Sequence, residues 1–338
     1  MEFEEKISNF RCWLEESNIF FKTDVNLSKF SQIKAGGYVQ TMIYPASKDE
    51  LKAAITKLAA IHLDYQTIGN LSNTIFRDGK ILSPFLNLSR MKSVTCDSNN
   101  LVTAEAGALM PTFARQVINF GFGGISGLVG VPGSVGGGIF MNASCYGSAI
   151  SEYLIDVLCI DEKGEEVRLL KSDLKYEWRV SAFQTEYSTL VIVSAQFSLP
   201  KSDPNLESDL VKSISLHRKT YQEKLKPNLG SLFATKDIYS DLSEHFLGFK
   251  MLLVLVKISC RAFPKTRHEK YARRARRLAL FYFRIKPNPN IMFSESTFNC
   301  IVNLGGATAD KIIEEMEATE KAIRFRVPLE NEIVKNIV

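Results

Sequence analysis

The stretch from Gly124 to Gly147 constrains this chain more than any other. It holds eight of the protein's 20 glycines, and glycine costs conformational entropy wherever it is held in one conformation. Two needs justify such density. One is tight turns with positive φ; the other is backbone amides brought close to a ligand, usually to its phosphates. Pro132, between Gly130 and Gly133, sets a rigid bend ahead of Ser134. Gly136, Gly137 and Gly138 then leave a run of amides without Cβ atoms, and Asn142 adds a side-chain amide just beyond. The stretch predicts a surface that lies against something flat and polar.

At 338 residues the chain exceeds one ordinary core and predicts two or three domains. Its 45% apolar and 23% charged residues are those of a soluble globular protein. No run of 18 apolar residues occurs, so no membrane span is expected. The acidic start, Met-Glu-Phe-Glu-Glu-Lys, lacks the basic opening and apolar core of a signal peptide. Six scattered cysteines without a CxxC pair read as reduced thiols, and four scattered histidines form no HExxH. A cytoplasmic location and no metal site are the expectations.

The net charge of +5 is unevenly placed. Residues 261–286 carry ten Lys or Arg against Glu269 alone, a local +9, which leaves −4 for the remainder. Such a stretch is either a solvated helix face or a contact for anions, with substrate pyrophosphate and an anionic membrane surface as candidates. No recognition module accompanies the charge, so no nucleic-acid partner is expected.

Periodicity supplies the elements. Phe3, Ile7, Phe10 and Leu14 predict an opening amphipathic helix. Strands are predicted at Tyr38–Tyr44, Tyr65–Ile68, 101–106, Leu154–Ile160, Glu166–Leu170 and 188–198. Helices are predicted from the capping box Ser47-Lys-Asp-Glu50, over Met110–Phe120, Glu207–Lys224 and Ala309–Arg324. The strand at Tyr65–Ile68 ends in Gly69-Asn70-Leu71-Ser72-Asn73, a turn able to present amides and hydroxyls to an anion. It is not the dinucleotide fingerprint, because its second and third glycines are missing and it opens no helix. Alternation of strands, helices and hairpins predicts an α+β architecture.

Gly130-Val-Pro-Gly-Ser-Val-Gly-Gly-Gly138, Met141-Asn142-Ala143 and Tyr146-Gly147 resemble the flavin-binding signature of the UDP-N-acetylenolpyruvoylglucosamine reductase family. Three further segments follow in that family's order: Trp178-Arg179-Val-Ser181-Ala-Phe183, Pro227-Asn-Leu-Gly-Ser231-Leu-Phe233 and Leu329-Glu-Asn-Glu332-Ile. The resemblance covers about three quarters of the chain, with none over residues 237–296.

The resemblance implies a two-part FAD-binding fold of the vanillyl-alcohol-oxidase (PCMH) type plus a C-terminal α+β substrate domain. The implied parts are residues 1–100 and 101–202 for flavin, 203–326 for substrate, and a catalytic tail at 327–338. FAD is expected to be non-covalent, contacted by Gly69, Asn70, Leu71, Ser72, Asn73, Gly130, Pro132, Gly133, Ser134, Gly136, Gly137 and Asn142. Leu71 stands where the family has a second glycine, and leucine tolerates positive φ poorly. Arg179 is implied as the active-site arginine, Ser231 as proton donor and Glu332 as catalytic glutamate. Lys236 is displaced from the basic position expected after Phe233, and Thr297 replaces a histidine. The implied reaction is NADPH-driven reduction of a UDP-sugar enolpyruvyl ether, in peptidoglycan precursor synthesis. A paralogue acting on another nucleotide sugar and a non-catalytic flavin- or anion-binding protein are the alternatives.

Overall fold

A computed structural model of the chain describes residues 2–221, 223, 226–261, 267–286 and 288–334. The expected helix end at Lys224, Lys265 of the basic segment and the last four residues lie outside the described residues. Helix α1 (Glu2–Glu16) buries Ile7, Phe10 and Leu14 completely, as their spacing predicts. Strands β1 (Phe21–Asn26) and β2 (Tyr38–Ile43) pair antiparallel, and helix α2 (Lys48–Ala60) follows. Ser47 Oγ caps α2 by accepting the Glu50 amide at 3.2 Å. The Glu50 carboxylate accepts from the Ala46 amide at 2.8 Å, so the capping box closes one residue further back than expected. Strands β3 (Gln66–Ile68), β4 (Thr74–Phe76), β5 (Lys80–Ile81) and β6 (Phe85–Asn87) complete the first part. The first sheet runs β1-β2-β6-β3, with β5 beside β2 and every pairing except β1–β2 parallel.

The second sheet is wholly antiparallel. Strand β7 (Val94–Cys96) pairs with β8 (Leu101–Glu105), so this sheet starts upstream of residue 101. Helix α3 (Met110–Asn119) carries Pro111 in its first turn, where the missing N–H leaves no bond unmade. The short helix α4 (Val135–Phe140) and the two-residue strands β9 (Ser144–Cys145) and β10 (Ser148–Ala149) come from the glycine stretch. Strands β11 (Leu154–Ile160), β12 (Glu166–Leu170) and β13 (Val191–Ser198) complete the order β12-β11-β13-β8-β7. One apolar core joins Ile7 and Leu51 to Leu86, Val102, Phe113 and Phe197, so the first 100 residues and the next hundred share their packing.

Helix α5 (Pro204–Tyr221) begins three residues before the expected Glu207, with Asp203 accepting the Asn205 amide at 2.8 Å. Helices α6 (Ile238–His245), α7 (Leu247–Cys260) and α8 (Arg267–Tyr282) then occupy the segment without resemblance. Strands β14 (Ile291–Phe293) and β15 (Ile301–Asn303) form a hairpin ahead of helix α9 (Ala309–Ala322). A second core gathers Phe233, Leu242, Phe249, Phe293, Phe298, Ile312 and Ile313, and it takes in Ile33, Ala35 and Ile75 of the first part. The two parts are also joined polarly. Asp78 accepts the Ala309 and Asp310 amides at 3.1 and 2.8 Å, capping α9. Strand β16 (Glu332–Val334) pairs parallel with β4, so the chain's end returns to its beginning.

Candidate active site

A cleft of about 1820 Å³ lies between these parts. A drug-sized ligand occupies a pocket of about 300–1,000 Å³, so the cleft has room for a dinucleotide and a second molecule. Two glycine-bearing loops form facing lips. A Cβ on Gly69 would stand 2.9 Å from Ser134 Oγ, and one on Gly133 would stand 3.1 Å from Ser72 Oγ. Gly133 also holds φ +139°, open to glycine and closed to most side chains. Ser134 Oγ accepts the Gly137 amide at 3.2 Å and starts α4. Small residues and hydroxyls on both lips allow a pyrophosphate to approach the backbone, so the residues present fit FAD.

Within the glycine run the structure differs from the expectation of open amides. The Val135 and Gly136 amides donate to the carbonyls of Ala108 and Ala106, both at 2.8 Å, and the Gly138 amide to that of Ser134 at 2.9 Å. A Cβ on Gly136 would press on Ala106, and one on Gly138 would overlap Met110. These two glycines let α4 pack against the end of β8 and the start of α3; Gly137 is the exposed member of the three. A Cβ on Gly130 would stand 2.5 Å from the Arg218 guanidinium, so α5 lays a cation on the second lip.

Leu71 does adopt positive φ, at +46°. Its side chain is buried with Val25, Leu27, Met42, Ile68 and Phe85, and its carbonyl accepts the Gln32 amide at 3.1 Å. The left-handed conformation costs roughly 1–2 kcal/mol; burial of a leucine returns roughly 1.5–3 kcal/mol. The loop thus keeps its shape without the second glycine.

Ser231 lies on the cleft wall just after Gly230, whose φ is +78° and whose amide donates to Asn228 Oδ1 at 2.8 Å. Asparagines hold this loop. Asn299 accepts the Phe233 amide at 2.6 Å and donates to the Phe233 carbonyl at 3.1 Å. Asn331 Nδ2 donates to the Leu229 carbonyl at 3.1 Å and to Asn73 Oδ1 at 2.9 Å. Asn73 Nδ2 in turn donates to the Glu330 carbonyl at 2.8 Å. The Asn73 carboxamide is therefore committed at both ends to tying the first lip, the serine loop and the terminal strand together. The clamping role of Asn331 and Asn299 is not read from sequence, because an asparagine reveals such a role only through its spatial partners.

Arg179 sits in a tight turn in which Glu177 and Val180 pair, with φ at +59°. Such backbone strain in a non-glycine residue marks functional positions. Its guanidinium reaches the cleft, with Nε 3.0 Å from Glu330 Oε1 and Nη2 donating to the Ser144 carbonyl at 3.3 Å. The Nε contact is an ion pair without hydrogen-bond geometry. Asn142, expected at the flavin, has its Nδ2 donating to the Glu177 carbonyl at 2.7 Å, which steadies the Arg179 turn, while its buried Oδ1 has no protein partner among the described residues. Trp178 draws Arg179 and Lys236 to one ring, at 5.5 and 5.2 Å from its centroid. The cation displaced in sequence thus shares the Trp178 ring with Arg179.

Glu330 and Glu332 both line the cleft, while Asn331, in the bend just before β16, turns to Asn73 and Leu229. The spacing of two glutamates two residues apart was the available signal for Glu330. Burial pushes the Glu330 carboxyl above its ordinary value, and Arg179 offsets part of the rise. Glu332 opens onto the cleft but is crowded by protein behind. Burial pushes its carboxyl up as well, opposed by the Thr74 hydroxyl, which donates to Oε2 at 3.3 Å. Of the other expected residues, Gly69, Asn70, Leu71, Ser72, Asn73, Gly130, Pro132, Gly133, Ser134, Gly136 and Gly137 all border the cleft. Thr297 borders it too, accepting the Asn299 amide at 3.0 Å. Among the described residues, none between 232 and 296 does.

Residues 39–170 match the family model described as an FAD binding domain. Similar curated proteins are UDP-N-acetylenolpyruvoylglucosamine reductases. That of Lactobacillus acidophilus is 30% identical over 235 residues, 70% of this chain and 76% of the relative. That of a Synechococcus strain is 32% identical over 220 residues, 64% and 72% of the two chains. That of Lactobacillus gasseri is 26% identical over 323 residues and covers 95% of each. The crystal structure of the Thermus caldophilus reductase (MurB) shares the fold, with a TM-score of 0.68 at 18% identity over 93% of this chain and 98% of that one. With the two facing glycine lips and the matched length in hand, the chain belongs to the UDP-N-acetylenolpyruvoylglucosamine reductase family.

Proposed function

We propose that this protein is a flavin-dependent oxidoreductase that reduces UDP-N-acetylglucosamine enolpyruvate to UDP-N-acetylmuramate for peptidoglycan, with FAD held non-covalently and NADPH as reductant. The observation that carries the reading is convergence: Arg179, Ser231 and Glu332, from three distant segments, border one cleft with both glycine lips. FAD, when bound, would supply the hydride chemistry for the enolpyruvyl group, with NADPH as its reductant. Gly69–Asn73 and Gly130–Ser134 would hold the cofactor through its phosphates. Arg179 meets the substrate carboxylate as negative charge grows on it, in a charge-assisted contact. Glu330 and the Ser144 carbonyl aim that guanidinium and act as positioning groups. Ser231 delivers the proton to the adjacent carbon, and the basicity of the substrate enolate drives the transfer from so weak an acid. Glu332, with its raised carboxyl pKa, stays protonated further up the pH scale and donates a hydrogen bond to the same charge.

The segment without resemblance lies away from the described cleft wall, which supports the family's own substrate over another nucleotide sugar. Burial raises the Cys145 thiol above its ordinary value despite Arg218 and Arg179 nearby. The thiolate that a covalent flavin link needs is therefore disfavoured. Acid precipitation is expected to release all flavin, and yellow colour in the pellet overturns the non-covalent assignment.

The test is anaerobic stopped-flow absorbance at the flavin band. NADPH bleaches the protein, and the enolpyruvyl nucleotide restores the colour. Ser231→Ala keeps the flavin and its reduction by NADPH while slowing re-oxidation by about 10²–10⁴-fold. Normal rates for both half-reactions in the alanine variant remove Ser231 from the mechanism. A reduced flavin that the substrate cannot re-oxidise at all refutes the substrate assignment.

A further inference from the structure

Helix α7 has an apolar face that the described residues leave largely exposed. It buries Phe249, Leu253 and Cys260. Leu247, Met251, Val254, Leu255 and Ile258 follow at helical spacing on the opposite side, exposed by 72, 64, 47, 61 and 52%. A helix on a soluble surface carries polar residues there, and a contiguous apolar patch marks an interaction site.

Helix α8 lies antiparallel beside it. Lys257 Nζ stands 5.9 Å from the Tyr271 ring at one end, and Phe249 lies 5.5 Å from the Tyr282 ring at the other. Arg274 Nη1 donates to Ser259 Oγ at 2.7 Å between them. Ala275 and Ala279 of α8 enter the same core as Phe249 and Leu253, so each helix turns its outer face away from that core. On its outer face α8 presents Arg273, Arg277 and Phe281, one turn apart, and exposed Arg284 and Lys286 follow. Phe281 is 81% exposed.

We propose that α7 and α8 form a docking surface for an anionic lipid bilayer, in which the α7 stripe enters the acyl boundary while Arg273, Arg277, Arg284 and Lys286 meet headgroup phosphates. An apolar stripe rimmed by cations is the composition of an interfacial helix. At 14 residues α7 is shorter than the roughly 20 needed to cross a bilayer, and no helix among the described residues is long and apolar enough to do so. A second copy of the chain is the weaker occupant, because two segments of +9 would face each other. The surface stands apart from the cleft, so the inference holds whatever the cleft reduces.

The test is co-sedimentation of the full flavin-loaded protein with phosphatidylcholine vesicles containing about one third phosphatidylglycerol, and with pure phosphatidylcholine. Binding to the anionic vesicles that weakens with salt is expected. Arg273→Gln with Arg277→Gln lowers it by about 25-fold, roughly fivefold per charge. Met251→Ser with Leu255→Ser lowers it by about tenfold or more, with flavin content unchanged in both variants. Absence of wild-type binding, or equal binding to both vesicles, overturns the proposal. So does a dimer in sedimentation velocity that Leu255→Ser dissociates, because the stripe is then covered by protein.

Discussion

The glycine stretch and the α7–α8 pair are built in opposite senses. In residues 124–147 the absence of side chains is what the neighbours demand. A Cβ on Gly127 would overlap the Cys145 carbonyl, and one on Gly138 would overlap Met110. In α7 large side chains stand outward, 47–72% exposed among the described residues, from Leu247 to Ile258. The first region is determined from within, by backbone packed on backbone. The second is half determined from within, through Phe249, Leu253, Ala275 and Ala279, and its outer half answers to whatever it meets. Tolerance to substitution should therefore differ sharply between them.

The largest break in that contrast comes from Gly127→Ala. The methyl group meets a backbone carbonyl that cannot swing aside, and the turn it distorts leads into the Gly130–Ser134 lip. A loss of about 3 kcal/mol or more is expected, seen as a lowered melting temperature and reduced flavin absorbance per protein. Retention of both would mean that the close approach is relaxed. Leu71→Gly sharpens the comparison, because it restores a glycine to a left-handed position and still destabilises. Strain relief of roughly 1–2 kcal/mol is set against a buried leucine worth roughly 2–5 kcal/mol, a net loss of about 2 kcal/mol in urea unfolding. A stabilised variant would show that backbone strain, and not the side chain, dominates that loop.

Glu332 lies between the extremes, its effect being one of pH. Its carboxyl is raised above the ordinary 4.5, so the native state holds that proton more tightly than the unfolded chain does. The stability this contributes is full below the ordinary carboxylate range and is lost as pH rises through the raised value. Re-oxidation should decline over the same interval if Glu332 donates as an acid. Glu332→Gln keeps a donor and removes the titration, so its rate profile should be flatter above pH 4.5. An unchanged profile points to Glu330 as the titrating group. The smallest effect belongs to Arg277→Gln, within about 0.5 kcal/mol of wild-type stability, because an exposed arginine has little native packing to lose. A larger drop would show that α8 is held from outside as well as inside.

Much of the fold was legible because its signals are local. The spacing of Ile7, Phe10 and Leu14, the Ser47 cap, Pro111 at the start of α3 and the β11–β12 hairpin each depend on residues a few positions apart. The departures have one cause. Gly136 reads as a ligand glycine, and it borders the cleft while also packing on Ala106. Asn142 reads as a flavin contact, and what its Nδ2 meets is the Glu177 carbonyl, 35 positions on. Residues 237–296 offered charge and apolar runs, yet nothing in their order says that α7 turns its stripe away from the core.

By itself the sequence determined the glycine-rich lips, the α+β alternation and the order in which Arg179, Ser231 and Glu332 occur along the chain. Only the tertiary structure decided that Glu330 holds Arg179, that Asn73, Asn299 and Asn331 clamp the serine loop, and that the basic segment lies away from the described cleft wall. The reason is physical. Turn chemistry and periodicity are written within a few residues, whereas the partner of a buried polar group is selected by chain closure over hundreds, as when Asn331 meets Asn73 across 258 positions.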